Sequence, residues 1–288
     1  MSAADTEPTG SEQDTAGSKR RGGQAGLIAA LIVVALIAVG AVAAVAVRHA
    51  SPHRAASGVA GTTPDAGGRD STATGFAVPV TDVFGRRVNV PRNPAGQPLP
   101  QTAPQHSPAD PGWLTAAPVL PQQGGWQQVA GASVPFSISD GPTRLTDGVA
   151  AGWSHTPQGA ALAGVYAAYQ LNARPGDRAV HTRLLENAPG ALSAFDADKA
   201  AGRIPTLLPQ NVTRYLVAPD AFRVDSYADD MAVLEIATRT ADEDGTPAWT
   251  ATQIVMVWDG GDWRLQPPPG ATPPQHVESS LTGGWTAW

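Results

Sequence analysis

The segment Gly152-Trp153-Ser154-His155-Thr156 sets a hydroxyl nucleophile beside an imidazole, the pairing that acyl-transfer enzymes use. A nucleophile elbow needs a glycine two positions after the serine so that the chain can turn sharply, and Thr156 stands there instead. Ser154 and Thr156 read more simply as hydroxyls at a helix start, where they accept hydrogen bonds from open backbone N–H groups. His155 and His181 are the histidines of the helical region, but a general base needs a partner that spacing alone does not place. Acidic residues gather at two hairpin ends: Asp225, Asp229 and Asp230, then Asp242, Glu243 and Asp244. Calcium favours such oxygens, yet the EF-hand spacing with its closing glutamate is missing, so these read as solvated turns. Phosphate-cradling glycine loops and His-Glu-x-x-His are also missing, and the lack of cysteine excludes thiol nucleophiles, disulfide frameworks and cysteine zinc sites. The reading is a non-enzymatic protein with no catalytic residue, cofactor or metal ligand.

Tryptophan is the more informative residue. Eight occur, all from Trp113 onward, and Trp249, Trp258 and Trp263 fall in the terminal hairpin. An odd spacing along one strand puts Trp249 and Trp258 on opposite faces. Aromatics often anchor the centres of interfaces, so Trp249, Trp258 and Trp263 are the candidate partner-binding residues, set against the simpler role of filling a small core.

The elements that position these residues are well punctuated. Thr156 caps a helix and Pro157 suits its first turn, where the missing N–H costs nothing. Leu162, Val165, Tyr166 and Tyr169 then recur at i, i+3, i+4 and i+7, a buried stripe, beside a small-residue row of Ala160, Gly164 and Ala168 that lets another element come close. Arg174-Pro175-Gly176-Asp177 ends this helix, and Ala179–Glu186 and Ala191–Ala201 read as two shorter ones. Ser133–Ser139 and Gly148–Trp153 read as short strands before it. After Pro219 the period changes to two: Phe222–Asp225, Met231–Arg239, Ala248–Trp258 and Asp262–Leu265 read as strands joined by short acidic or glycine turns. Such turns make neighbours antiparallel, so the strands form a meander. Helices followed by a meander make an α+β domain, with short helices packed on a curved antiparallel sheet. Trp285 and Trp288 imply that the chain end packs back onto this domain.

Upstream the composition changes. Of 288 residues, 31 are glycine and 27 proline, while charged residues are only 15% and the net charge is −6, which argues against nucleic-acid binding. Residues 1–24 hold no aromatic or branched aliphatic side chain and read as a disordered tail. Ala25–Val47 is apolar without interruption and flanked by Arg20, Arg21 and Arg48. As a helix rising ~1.5 Å per residue it spans about 34 Å, enough for a hydrocarbon core and longer than the apolar region of a cleaved signal peptide. The expected organisation is a cytoplasmic tail (1–24), a transmembrane helix (25–47), a Pro/Gly/Ser-rich tether and arm (48–111) and an extracytoplasmic domain (112–288). Ten prolines between Gly75 and Gly125 exclude central strands there, leaving either an arm docked on the domain or a semi-rigid spacer.

All basic residues but Lys19 and Lys199 are arginine, which reads as a bacterial chain from a GC-rich genome. One N-terminal membrane helix, a tether, Thr-Pro-Gln-Gly-Ala (156–160) at a helix start and the ending Val-Trp-Asp-Gly-Gly-Asp-Trp-Arg-Leu (257–265) together resemble bitopic proteins of actinobacterial conjugative elements. Over roughly residues 126–288 the chain is similar to the nuclear transport factor 2-like domains of inner-membrane scaffold subunits in conjugation and type IV secretion. The resemblance implies a single-pass cell-membrane protein that self-associates and holds protein partners in a membrane complex, and that is not an enzyme. The alternative in the same fold is an extracytoplasmic small-molecule or lipid-binding domain whose sheet encloses a ligand.

Overall fold

The computed structural model describes residues 72–186, 190–241, 246–269 and 272–288. The tail 1–24, the apolar stretch Ala25–Val47, the tether as far as residue 71 and the acidic turn Asp242–Gly245 lie outside the described residues. Among the described residues no helix is long and apolar enough to cross a membrane.

The fold is α+β with antiparallel sheets. Strands β7 (Ala221–Tyr227), β8 (Met231–Ala241), β9 (Pro247–Asp259) and β10 (Asp262–Gln266) follow one another as the expected meander. Sequence periodicity did not reveal two further strands. Here β11 (Gln275–Glu278) continues along the β9 edge beyond β10, and β12 (Thr286–Ala287) closes the far edge against β7. Both are too short and too polar to leave a pattern. A register shift between Val224 and Ser226 bulges β7, the device that bends a strand and curves its sheet.

Helix α1 (Pro157–Ala173) lies across the inner face of this sheet. Thr156 is its cap, with the side-chain oxygen accepting from the Gly159 N–H at 3.0 Å, and Pro157 opens the first turn as expected. A Cβ on Gly164 would come within 2.3 Å of Ile254 Cδ1, so the small-residue row does allow close approach to β9. Burial extends well beyond the Leu162–Tyr169 stripe, since 15 of the 17 helix residues are buried. The reason is that α1 is enclosed on its other side by hairpins β3–β4 (Trp126–Val129, Ala132–Pro135) and β5–β6 (Arg144–Thr146, Val149–Ala151). Helices α2 (Arg178–Leu184), α3 (Ala191–Ala200) and the single turn α4 (Gln210–Thr213) follow, with Asp177 capping α2 through the Ala179 N–H at 2.9 Å.

The proline-rich arm docks on the domain. Its hairpin, β1 (Val80–Thr81) and β2 (Arg87–Val88), runs into an Asn89–Gln127 bridge beside β3. The Ala103 N–H donates to the Ile138 carbonyl and the Ile138 N–H to the Val119 carbonyl. Prolines are tolerated because the arm lies along the domain surface as an edge, where few donors are needed. The chain end also packs back: Trp288 sits 4.6 Å from Phe222 and 5.7 Å from Trp126, ring centre to ring centre.

Candidate interaction site: an aromatic ladder from core to surface

The serine, histidine and aspartate of the helix start are brought into one neighbourhood, but the serine and the histidine bond to different partners. Asp140 is 1% exposed, and its carboxylate accepts from the hydroxyls of Ser139 (2.5 Å), Ser154 (2.6 Å) and Thr156 (2.7 Å). A buried carboxylate needs such donors, and three hydroxyls supply them without a cation. Ser154 is thereby committed to Asp140, while the His155 ring turns away toward Trp258 and places Nε2 against the Asp229 carbonyl. Asp262, at the head of β10, accepts from the backbone N–H groups of Gly152 (2.6 Å) and Trp153 (3.2 Å). Burial nonetheless pushes its carboxyl above the usual range, those N–H groups offsetting only part of the cost. His181 is pressed against Phe195 at 4.2 Å, and burial lowers its pKa. Among the described residues no group of three or more histidine or acidic side chains is placed to hold a metal ion.

The three candidate tryptophans do not form one surface. Trp263 is only 1% exposed and its Nε1 donates to the Ser154 carbonyl at 2.9 Å, so its role as an exposed anchor is corrected to that of a core residue. The cause is tertiary: β10 crosses under the start of α1 and carries Trp263 inward. The β8–β9 register runs without a break, so Trp249 and Trp258 do lie on opposite faces of β9. Trp249 is on the outer face and its Nε1 donates to the Asp220 carboxylate (2.7 Å), which also holds Arg86 of the arm (2.7 Å) and Arg239 (2.8 Å). It is therefore engaged in docking its own arm.

Trp258 has a different setting. Its half-buried ring stacks on the exposed imidazole of His155 at 4.1 Å with an angle of 9°, and meets the edge of Trp263 at 5.1 Å. On its other side fully buried Trp263 meets half-buried Tyr227 at 6.0 Å, and Tyr227 meets half-buried Trp113 at 5.1 Å. Burial pushes the Tyr227 hydroxyl up to about 12, so it stays protonated. Edge-to-face contacts join these rings on both sides of Trp263, and one end of the series reaches the surface in the His155–Trp258 stack beside the exposed Asp229 and Asp230. His155 was visible in the sequence as a residue of interest, but nothing in its spacing tied it to Trp258. Only the crossing of β9 and the α1 cap brings them together.

One cavity, of about 80 Å³, lies between α1 and the sheet, lined by Val165, Tyr169, Asn172, Ile236, Thr250 and Ile254. Tyr166, Trp153 and Trp263 are buried as core.

No curated protein and no solved structure matches the chain. A family model described as "Domain of unknown function (DUF8175)" matches residues 89–287, from the docked arm to the last strand. The chain therefore belongs to this family, and the arm from Asn89 onward is part of the family's domain.

Proposed function

We propose that this protein is a membrane-anchored, non-enzymatic assembly subunit whose α+β domain works outside the membrane, binding protein partners in a conjugal-transfer or secretion complex and associating with itself. The observation that carries the reading is the His155–Trp258 stack: an aromatic pair held at the surface against buried Trp263, the kind of preorganised anchor that interface centres use. The residues that could do chemistry are spent on structure, with Ser154 on Asp140 and His155 on Trp258. The uninterrupted apolar run Ala25–Val47 supports the anchor, and the resemblance to conjugation scaffold subunits supports the pathway.

A photo-crosslinking residue at Asp229, beside the stack, tests this in native membranes. The expected products are a heteromeric adduct with another membrane protein, or a dimer of the chain. Monomer alone, with no co-purifying membrane protein, overturns the reading. The small-molecule or lipid reading has less support, because a drug-sized ligand needs roughly 300–1,000 Å³ and the cavity offers about 80 Å³.

A further inference from the structure

The arm hairpin gathers five exposed large hydrophobic side chains, Phe76, Val78, Val80, Val83 and Phe84. Phe76 to Thr81 are all exposed, Val78 at 83%, and Val83 and Phe84 at the hairpin loop add to the same ribbon. On its inner side β1 pairs with β2, and Val88 is buried against the domain. The outer edge of β1 has no partner strand among the described residues. An exposed apolar edge normally invites a further strand, but Pro79 sits within it and removes a donor. The edge is thus suited to an apolar contact that needs no backbone ladder.

Its charge differs from that of the whole chain. Between Gly75 and Arg92 there are three arginines and one aspartate, a net of +2 on a chain of net −6. Arg86 is paired with Asp82 and Asp220. Arg87 and Arg92 are exposed and have only neutral partners among the described residues, the Asn89 side chain and the Phe76 carbonyl. Val80 pairs with Val88 and Thr81 with Arg87, so Arg87 lies on the outer face of the ribbon while Phe76, Val78 and Val80 are exposed along its free β1 edge. Such an edge beside arginines that lack an anionic partner among the described residues matches the interface of an anionic bilayer, where apolar groups enter the headgroup boundary and cations meet lipid phosphates.

Position agrees with chemistry. On the anchor reading, 27 residues separate Val47 from Gly75. A Gly/Ser/Ala-rich chain of that length has a root-mean-square span of roughly 30 Å, which makes contact with the bilayer intramolecular and populates even weak binding.

We propose that the β1–β2 hairpin, through Phe76, Val78 and Val80 with Arg87 and Arg92, rests on the anionic outer surface of the bilayer that anchors the chain. This deepens the membrane-anchored reading and depends on it. The chain has no cysteine, so Val78→Cys gives a unique site for a spin label in the full-length protein, reconstituted into vesicles of phosphatidylcholine with phosphatidylglycerol. The label at position 78 should collide several-fold more with membrane-dissolved oxygen than with a water-soluble nickel chelate. A control label from Leu207→Cys should show the reverse. Arg87→Gln with Arg92→Gln should shift the docked-to-free ratio roughly thirtyfold, the worth of two cations near an anionic surface. A position-78 label as water-accessible as that at 207, on protein that floats with the vesicles, overturns the hairpin contact while leaving the anchor intact. Dipolar broadening between two position-78 labels overturns it in favour of pairing between copies. Failure to float overturns the anchor and the contact together.

Discussion

Replacing Trp263 and Trp258 separately with alanine distinguishes the two ends of the ladder. Trp263 is almost wholly buried, and truncating such a ring typically costs about 3–5 kcal/mol in lost burial and cavity formation. Its Nε1–H also satisfies the Ser154 carbonyl, and orphaning that acceptor adds about 1 kcal/mol. Domains are stable by only about 5–15 kcal/mol, so Trp263→Ala should leave the chain barely folded or unfolded. For a domain of this size each kcal/mol is roughly 2–4 °C, which puts the fall in Tm at about 8–24 °C. Trp258 is half-buried, and its alanine variant loses one edge-to-face contact and one stack, about 1–2 kcal/mol and at most about 8 °C. Far-UV circular dichroism melts of the full-length chain in detergent measure both without relying on tryptophan emission. The crosslinking yield at position 229 in membranes then separates stability from binding: Trp258→Ala should fold and lose the adduct. If it melts as low as Trp263→Ala, Trp258 is a core residue. If it folds and keeps the adduct, the stack is not the anchor. Either result refutes the reasoning.

Four further outcomes follow from the same geometry. Thr156→Ala removes the α1 cap and one of the hydroxyls on Asp140, and should cost about 1–2 kcal/mol by urea titration, with Thr156→Ser recovering most of it. Gly159→Ala brings a Cβ to 2.1 Å from the Ser154 carbonyl oxygen and should abolish soluble folded yield. Gly190→Ala, at φ +82° with open space around it, should cost only the roughly 1–2 kcal/mol of a left-handed residue. His181 carries a pH signature. Burial holds its folded pKa below the ordinary 6.5, so as pH falls from 6.5 toward that lower value the unfolded state takes up the proton first and stability drops. Above 6.5 the group contributes no slope. The difference in urea midpoint between wild type and His181→Gln, followed from pH 7.5 to 5, should change only within that window, and a flat difference would contradict the burial argument.

Local grammar was enough to read the centre of the domain. Thr156-Pro157 and Gly176-Asp177 are read by the chain within a few residues of themselves, because capping satisfies backbone donors that lie next in sequence. The period-two stretches after Pro219 became β7 to β10 in the expected order, since short turns leave antiparallel pairing as the only option. Parity likewise placed Trp249 and Trp258 on opposite faces of β9 before any contact was known.

What remained hidden depended on residues distant in sequence. Gly164 signalled a close approach but not that Ile254 would make it, and the whole-surface burial of α1 came from hairpins that close over its far side. Composition left the proline-rich arm between a spacer and a docked strap; its bonds to Ile138 and Gln127 decided for docking, because prolines without donors can still lie along an edge that supplies them. The division of labour among the tryptophans was likewise tertiary. Periodicity can say which side of a strand a ring occupies, but burial of that side depends on what crosses it: the α1 cap over Trp263, the Asp220 carboxylate beside Trp249, and His155 stacked on Trp258.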